Sequence, residues 1–538
     1  MVNKKLIGIL FFTTYICATN NAAAITKPTP TETSTRNFLF IENEADDNLF
    51  IAPTDSLNPR LTGANAWASN NNQDSLAYVD NGANRSVTGD NVDMWEDGPI
   101  SYPYVNQRCI RTYSGCDYET AEAINKPAVV NEYGFFGLMG AASGWGHAKI
   151  SASFFNYLKG MPVGSVLNRQ MNLCYTTAKY DAAAGGRCKD QTTGRWYIVN
   201  THHKKAGHIR FIQKNTVTEV IIDSNGTPFI TPGSQECVNY SIGTRDGILC
   251  KYLDYDFKDD GSQSYSQPTI STSIKHSALN SAISNADVQM SADRNTWVSL
   301  GTRYSISRLK GNTSIYIFLS SNFFKQLVRL GIQDNVVKSL LNFNMTNSIA
   351  PESGFYEFNG TTEVKIKPRS FSVSILPSDG LSNPYREGVV GKDIMNFSYN
   401  ISDSGPVSAD TLEIAITQDI GSPYQGLCTF YPAEDTARKQ EVPIPTRLAF
   451  NSTVKGPLSQ HNIRCDGTPL DIRALGIQDS TTPQEWNDPV SGKGITRFYK
   501  LALEFDLTDP MVQRTIGNDL WEGEVQQSGT ITIKGTWR

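Results

Sequence analysis

Apolar and polar residues alternate in short runs along most of this chain, which is the period-two pattern of half-buried β-strands. The last run is the clearest, because glycine, isoleucine and tryptophan alternate there with threonine and lysine. A strand of this kind either pairs within its own sheet or offers a free edge to another chain. Its apolar face is therefore a candidate assembly strand, formed by Gly529, Ile531, Ile533, Gly535 and Trp537.

The same alternation predicts an all-β fold with a domain boundary near residue 369. Strands are expected around residues 371–375, 412–416 and 499–507. The segment 369–538 has the size and rhythm of one immunoglobulin-like β-sandwich of about 100 residues or more. Residues 37–368 are too many for one such sandwich. They predict one elaborated β region or two subdomains divided near 255–290.

Two short helices and one β-hairpin are predicted within the strand pattern. Ser151–Leu158 and Ser320–Leu327 each combine a serine at the start, apolar residues four apart and a following glycine. Their shared Ser-x-x-Phe-Phe-x-x-Leu pattern fits either a duplication or chance similarity of two capped helices. A hairpin is predicted over residues 217–230, where Asn225-Gly226 favours a type I′ turn.

The N-terminus has the organisation of a secretory signal over residues 1–24. Two lysines precede the apolar run Leu6–Ile16, and Ala22–Ala24 supplies a small-residue cleavage site. The apolar run is too short to span a membrane, and no other candidate span occurs. Residues 25–36 are rich in threonine and proline and are expected to be a flexible leader. The rest of the chain is expected outside the cytoplasm.

Charge and cysteine usage narrow the function classes. The chain has 48 basic and 53 acidic residues, a net charge of −5, which disfavours nucleic acid and anionic membrane surfaces as partners. Of its nine cysteines, one lies in the signal, and an even number in an exported chain implies disulfides. Sequential pairing is expected because each pair brackets a plausible hairpin. The expected pairs are Cys109/Cys116, Cys174/Cys188, Cys237/Cys250 and Cys428/Cys465.

A histidine cluster and an acidic run are the candidates for metal chemistry. His202, His203 and His208 could hold a metal or an acidic ligand, and the alternative is a polar strand or loop. The acidic run over residues 42–47 lacks the spacing of a calcium loop. No nucleophile elbow, metalloprotease helix or phosphate-cradling loop occurs. We therefore predict no catalytic residues, no metal site and no cofactor, and no enzymatic activity.

Three aromatic residues are candidates for ligand contact. Trp145 could stack on a sugar, and Tyr102 with Tyr104 forms a local aromatic pair. Each of them could equally pack inside the fold. Ligand pockets are commonly built from surface loops whose specificity cannot be derived from one sequence, so any receptor-binding residues stay unknown.

Several unusual segments occur in order through almost the whole exported chain. They are Asp46–Phe50, Pro59–Trp67, Arg187–Gln191, Ser320–Gln326, Pro351–Phe358, Lys367–Arg369 and Thr536–Arg538. This series resembles the tip adhesins of the bacterial common pilus, the Ecp or Mat fimbria. The resemblance implies export through the periplasm and a position at the fimbrium tip on the cell surface. It also implies a role in host-cell attachment and biofilm formation.

The resemblance further implies separate functions for two parts of the chain, together with a set of partners. Residues 37–368 would be the adhesive part, directed at a host-cell surface receptor. Residues 369–538 would be a pilin domain, an immunoglobulin-like sandwich that lacks one strand. A periplasmic pilus chaperone would supply that strand first. At the outer-membrane usher, a strand of the major pilin subunit would then replace the chaperone strand. This replacement is the donor-strand exchange of the chaperone-usher pathway.

The leader bears on the direction of assembly. Residues 25–36 lack alternating apolar positions and would make a poor donor strand. This suits a terminal subunit that receives a strand from another chain and donates none. Phe38–Ile41 is apolar enough to donate but is expected to belong to the sheet of the adhesive part. Two other classes stay open at this point. One is a secreted carbohydrate-binding protein or glycosidase with a complete C-terminal domain, and the other is a structural pilus initiator without receptor binding.

Overall fold

The structure, a computed structural model, consists mostly of β-strands, which confirms the all-β prediction. It describes residues 24–31, 35–44, 48–53, 63–64, 90–109, 126–139, 146–265, 269–332, 335–346, 356–433 and 440–538. The apolar and charged parts of the predicted signal lie outside these residues. No helix within them is long and apolar enough to cross a membrane.

The elements are numbered in chain order. The first ten strands are β1 (Arg36–Asn43), β2 (Asn48–Pro53), β3 (Gly63–Ala64), β4 (Asn91–Trp95), β5 (Tyr104–Cys109), β6 (Val129–Asn131), β7 (Gly134–Met139), β8 (Gly146–Ile150), β9 (Val166–Thr176) and β10 (Arg195–Ile212). The next are β11 (Thr216–Ile222), β12 (Pro228–Ile230), β13 (Cys237–Ile242), β14 (Arg245–Asp259), β15 (Thr269–Ile274), β16 (Val288–Ser291), β17 (Val298–Ser299), β18 (Tyr304–Ser305), β19 (Ser314–Ser320), β20 (Asn335–Val336), β21 (Leu341–Thr346), β22 (Tyr356–Phe358) and β23 (Thr362–Pro368).

The remaining strands follow residue 369. They are β24 (Ser372–Pro377), β25 (Ile394–Gly405), β26 (Thr411–Gln418), β27 (Cys428–Pro432), β28 (Val442–Ile444), β29 (Thr446–Ser452), β30 (Gly456–Asn462), β31 (Leu470–Asp471), β32 (Gln484–Asp488), β33 (Gly492–Asp506), β34 (Val525–Gln526) and β35 (Gly529–Thr536). The α-helices are α1 (Ala152–Gly160), α2 (Ser277–Ala282), α3 (Ser321–Arg329) and α4 (Val337–Leu340). Helices α1 and α3 confirm the two predicted helices, and the Ser320 hydroxyl caps α3 by accepting the Phe323 N–H at 3.1 Å.

The chain forms two compact units. The first contains the described residues within Met1–Arg36, Leu76–Gly160 and Val166–Lys204. Its sheet has the antiparallel order β10-β9-β4-β7-β6, and β5 pairs with β8. The segment expected as a loose leader is attached to this unit, because Ile25 N–H donates to Gln191 O at 3.0 Å and Thr31 N–H to Ile198 O at 2.9 Å.

The second unit contains the described residues within Asn37–Ser75, Met161–Ser165 and Lys205–Arg538. Strand β1 pairs antiparallel with β2, and the side chains of Phe38–Ile41 are fully buried. This confirms that Phe38–Ile41 belongs to the chain's own sheet. Further along, β14 pairs with β10, β13 and β19, and a separate sheet has the order β12-β11-β23-β20.

The predicted hairpin over residues 217–230 is present as β11 and β12, but its turn is not type I′. A type I′ turn needs positive φ at both central residues. Gly226 has φ +80°, whereas Asn225 is not in that region. The Asp223 carboxylate sets the turn instead, because its Oδ1 accepts the N–H of Asn225 at 3.0 Å and of Thr227 at 2.7 Å.

The segment after residue 369 is a sandwich with the strand order of an immunoglobulin-like fold. One sheet has the order β24-β25-β33-β29-β30, and the facing sheet contains β31-β26-β35. In immunoglobulin notation the first sheet follows A-B-E-D, and β26 and β35 take the positions of C and F. The core between the sheets includes Leu412, Ile414, Leu448 and Tyr499.

Three of the expected cysteine pairs are disulfides in the structure. Cys174 is bonded to Cys188 in the first unit, and Cys237 is bonded to Cys250 across the β13–β14 ladder. Cys428 is bonded to Cys465 inside the C-terminal sandwich. The fourth expected pair, Cys109/Cys116, cannot be placed, since Cys116 lies outside the described residues.

Candidate functional site

The candidate assembly strand is an edge of the C-terminal sandwich. β35 pairs antiparallel with β26, so that Ile533 lies opposite Ile414 and Ile531 opposite Ile416. On its other side β35 has no strand partner within the described ranges. β24 is likewise an edge strand of the other sheet of the sandwich, because it pairs only with β25 there. β24 and β35 are therefore each an open edge strand of their own sheet.

Burial differs sharply between the interior strand and the edge strand of the same ladder. Leu412 and Ile414 on β26 are fully buried. Ile531 and Ile533 on β35 pack against the same core but stay half-buried, and so do Val373 and Ile375 on β24. Apolar side chains that face a core on both open edges, yet remain accessible, indicate a gap between those edges.

This gap is a groove between β24 and β35, which we call the acceptor groove. It has a volume of about 480 Å³. Its floor consists of core-facing side chains of the two edge strands, and one wall is formed by residues that precede the sandwich. The lining residues are Glu219, Val336, Lys365, Lys367, Val373, Ser374, Ile375, Ile531, Thr532 and Ile533.

Aromatic packing joins the residue before β24 to the end of β35, next to the acceptor groove. The rings of Phe371 and Trp537 lie edge to face with their centroids 5.7 Å apart. The Trp537 indole N–H donates to the Val407 carbonyl at 3.1 Å, which holds the end of β35 in place. Next to this contact, a Cβ added at Gly535 would lie 3.5 Å from Val373 Cβ. The two strands therefore approach each other at this end.

The charged wall of the groove comes from the parallel pair of β11 and β23. Glu219 lies in register with Lys365, and Ile221 with Lys367, so these side chains share one face of that sheet. The Ser374 hydroxyl of β24 donates a hydrogen bond to the buried Glu219 carboxylate. This bond joins the wall to the edge of the sandwich.

The histidines occupy strand β10 rather than an open site. His203 is buried, and His208 Nε2 lies 3.4 Å from Glu42 Oε2. Burial lowers the pKa of His208 to about 4, and the neighbouring positive charge of Lys205 acts in the same direction. Within the described ranges, no group of three or more histidine, cysteine or acidic side chains is placed to hold a metal ion.

The candidate aromatic pair surrounds a buried cation that sequence reasoning missed. Tyr104 is buried, and its ring centroid lies 4.2 Å from the Arg169 guanidinium carbon. Tyr102 stacks on Tyr157 with centroids 4.0 Å apart. Arg169 also forms an ion pair with Glu96. No sequence spacing marks this arrangement, because its members come from separate elements. Trp145 lies outside the described residues.

Comparison with known proteins gives a consistent family. Three models match in succession: the E. coli common pilus adhesin EcpD N-terminal domain over residues 25–209, its middle domain over 213–363 and the EcpD C-terminal domain over 370–535. The first two meet near residue 210, whereas the sequence analysis suggested a division near 255–290. The third begins one residue after the boundary suggested at 369.

Relatives of full length support the same family. The chain is 37% identical to the fimbria adhesin EcpD of Escherichia coli O127:H6 over 99% of this chain and 98% of that protein, and the EcpD protein of strain K12 matches equally. A solved structure of CfaE, the adhesive subunit of CFA/I fimbria, is 10% identical and covers 61% of this chain and 87% of its own, with a TM-score of 0.18. That likeness is too low to support an argument. The family models and the relatives together show that the chain belongs to the EcpD family of fimbria adhesins.

Proposed function

We propose that this chain is a fimbrial tip adhesin whose segment 369–538 is a pilin domain that accepts a donor strand. In the periplasm, the strand would come from a pilus chaperone. At the outer-membrane usher, a strand of the major pilin would replace it. Residues 37–368 would carry the adhesive function toward a host-cell receptor, with attachment and biofilm formation as the outcome. The adhesin name of the relatives supports this role.

The observation that carries the proposal is the accessible apolar floor of the acceptor groove. A seventh strand G would complete an A-B-E-D and C-F-G sandwich, and it would lie beside strand F. The free side of β35, which is strand F, faces the gap to β24. A strand inserted there would gain main-chain hydrogen bonds from the open edges and cover the half-buried side chains of both.

The energetics favour insertion of an apolar strand. Val373, Ile375, Ile531 and Ile533 each retain accessible apolar surface that a donor strand would cover. Covering the remaining half of one such side chain contributes about 1 kcal/mol. Four such contacts together with a ladder of hydrogen bonds outweigh the cost of ordering a short peptide only if the peptide is itself suited to extended structure.

The receiving role is supported by what the chain's own apolar segments do. Phe38–Ile41 is the first apolar stretch after the predicted signal, and it is fully buried in β1. Residues 25 and 31 are hydrogen-bonded within the first unit. Neither segment can leave to complete a neighbouring subunit without breaking these contacts, which suits a subunit that receives a strand and donates none.

Hydrogen–deuterium exchange on the purified full chain tests the proposal. Since β35 has eight residues, the probe is a blocked peptide of about ten residues in which valine and threonine alternate, here called the valine–threonine peptide. We expect it to slow amide exchange in β24 and β35 and to raise the melting temperature of the sandwich. The control peptide, in which serine replaces valine, should do neither. If the valine–threonine peptide does not bind, and β35 already exchanges as slowly as β26, the groove is not an acceptor and the proposal fails.

A further inference from the structure

We infer that the middle part of the chain, residues 213–363, has a role in assembly. Its strand β11 holds the β24 edge of the acceptor groove in place, and Glu219 is the positioning residue. This inference rests on the proposed function and deepens it, because it adds a part of the chain outside 369–538 to the strand-accepting site. It comes from the hydrogen bonds that join β11 to β24 and to the residues on either side of β24.

Main-chain hydrogen bonds attach both ends of β24 to β11. Before β24, the Arg369 N–H donates to the Ile222 carbonyl at the end of β11, at 2.8 Å. After β24, the Gly380 carbonyl accepts the Val217 N–H near the start of β11, also at 2.8 Å. The order of these partners means that β11 runs alongside β24 in the opposite direction. The edge strand is therefore fixed at both ends to a different part of the chain.

The central attachment is made by two side chains. Glu219 of β11 is 1% exposed, and its carboxylate accepts a hydrogen bond from the Ser374 hydroxyl of β24. Successive side chains of a strand point to opposite faces, so Ser374 shares one face with Ser372 and Leu376, and all three are buried. Ile375 is on the other face and packs against the sandwich core. β24 is therefore covered on both faces, with Glu219 on the side away from the core.

The other edge of the groove is held by the sandwich itself. β35 pairs with β26, and the Thr536 carbonyl accepts the Asp410 N–H at 2.7 Å. The half-buried apolar side chains of both edges favour closure, because β24 and β35 would cover them by moving toward each other. Attachment of β24 to β11 opposes this movement. The groove can then stay open until a strand arrives.

The bond between Glu219 and Ser374 is the attachment that a side-chain substitution can remove. Hydrogen bonds to a charged group are stronger than those between neutral groups. When only part of a protein population is competent to bind, the apparent affinity falls in proportion to that fraction. Loss of this bond should therefore weaken strand binding by letting β24 move, and Glu219 acts on the incoming strand through β24.

Calorimetric binding of the valine–threonine peptide to variants of the full chain tests this inference. Glu219→Ala and Ser374→Ala should each weaken binding about tenfold. The double variant should bind no more weakly than the single variants, because both changes remove the same bond. Glu219→Gln keeps an oxygen that can accept the Ser374 hydroxyl and should restore most of the affinity. Without peptide, hydrogen–deuterium exchange should be faster in β24 of both alanine variants and unchanged in β26.

Glu363→Ala is the matched control. It removes a carboxylate from β23 of the same sheet, but Glu363 pairs with Lys365 and not with β24, so the peptide should bind as it does to the parent chain. Ser374→Ala serves as the test on its own if Glu219→Ala does not fold.

Two results would contradict the inference in distinguishable ways. If the alanine variants lower the melting temperature but leave peptide affinity and β24 exchange unchanged, Glu219 has a purely structural role. The inference is then overturned, and the acceptor groove stands. If the peptide does not bind to the parent chain, the proposed function fails and the inference fails with it.

Discussion

The backbone N–H of Ser224 donates a hydrogen bond of 2.7 Å to Asp488 Oδ2, across 264 residues of sequence. Ser224 lies in the turn between β11 and β12, and Asp488 ends β32 of the sandwich. The other carboxylate oxygen accepts the N–H groups of Val490 and Ser491, both at 2.8 Å. One buried carboxylate therefore orders a loop of the sandwich and attaches it to the β11–β12 hairpin, which belongs to the same part of the chain as the charged wall of the groove.

This contact predicts a pH-dependent contribution to stability. Burial alone would raise the pKa of Asp488, but the N–H donors of Ser491, Ser224 and Val490 lower it to about 2. An aspartate in the unfolded chain has a pKa near 3.9, so the stabilisation is complete above about pH 4 and is lost as the pH falls toward 2. We expect Asp488→Asn to cost about 2 kcal/mol at pH 7 and much less at low pH.

Differential scanning calorimetry of the full chain at pH 7 and near pH 3 measures this difference. Glu485→Gln is the matched control, since Glu485 is exposed on the same strand, and it should change the melting temperature little at either pH. An equal loss for Asp488→Asn at both pH values would show that the side chain acts through packing and not through its charge.

The edge strand predicts an asymmetry between the two faces of β35. Ile533 is half-buried and lines the acceptor groove, whereas Thr530 is exposed on the opposite face. We expect Ile533→Ala to weaken binding of the valine–threonine peptide about tenfold, because the peptide would no longer cover the removed methylene and methyl groups. Thr530→Ala should bind as the parent chain does. Calorimetric titration checks both, and an equal loss in the two variants would place the peptide elsewhere.

The sequence predicted the features whose signals are local. Period-two alternation located β35, β26 and β33, serine caps with following glycines located α1 and α3, and cysteine spacing suggested the disulfides. These signals lie within a few residues of the element they specify, so tertiary contacts had little opportunity to override them.

The features that were missed depend on residues distant in sequence. Glu219 and Ser374 are 155 residues apart, and nothing in either segment indicates that they meet at the acceptor groove. The aromatic surroundings of Arg169 are likewise assembled from separate elements. The turn type at Asn225-Gly226 was wrong for a local reason, because the Asp223 side chain competes for the backbone N–H groups that define the turn.

The disulfides predict a ranking of stability losses. Cys428 and Cys465 are 37 residues apart, and Cys237 and Cys250 are 13 apart. On the chain-entropy model the longer loop contributes about 4 kcal/mol and the shorter about 3 kcal/mol. We expect the double alanine variant of Cys428 and Cys465 to lower the melting temperature of the sandwich and to weaken binding of the valine–threonine peptide. The double variant of Cys237 and Cys250 should leave that binding unchanged. The ranking is refuted if removal of the disulfide that closes the shorter loop costs more stability than removal of the disulfide that closes the longer loop.

The buried cation of the first unit predicts a pH-reversible defect. Arg169 is 2% exposed, its guanidinium lies against Tyr104 and Phe154, and it pairs with Glu96. Burial raises the pKa of Glu96, and Arg169 opposes that effect. Arg169→Met leaves the Glu96 carboxylate buried without this partner, which should cost about 3–5 kcal/mol at pH 7. Because the unpaired carboxylate then has a further raised pKa, acidification toward pH 5 should protonate it and recover part of the lost stability. The added substitution Glu96→Gln should do the same.

Lys126→Met, at an exposed position of the same unit, is the control and should have little effect. Thermal unfolding of the full chain across this pH range decides the matter, since a defect that neither acid nor Glu96→Gln relieves would mean that Arg169 stabilises the unit through aromatic packing alone.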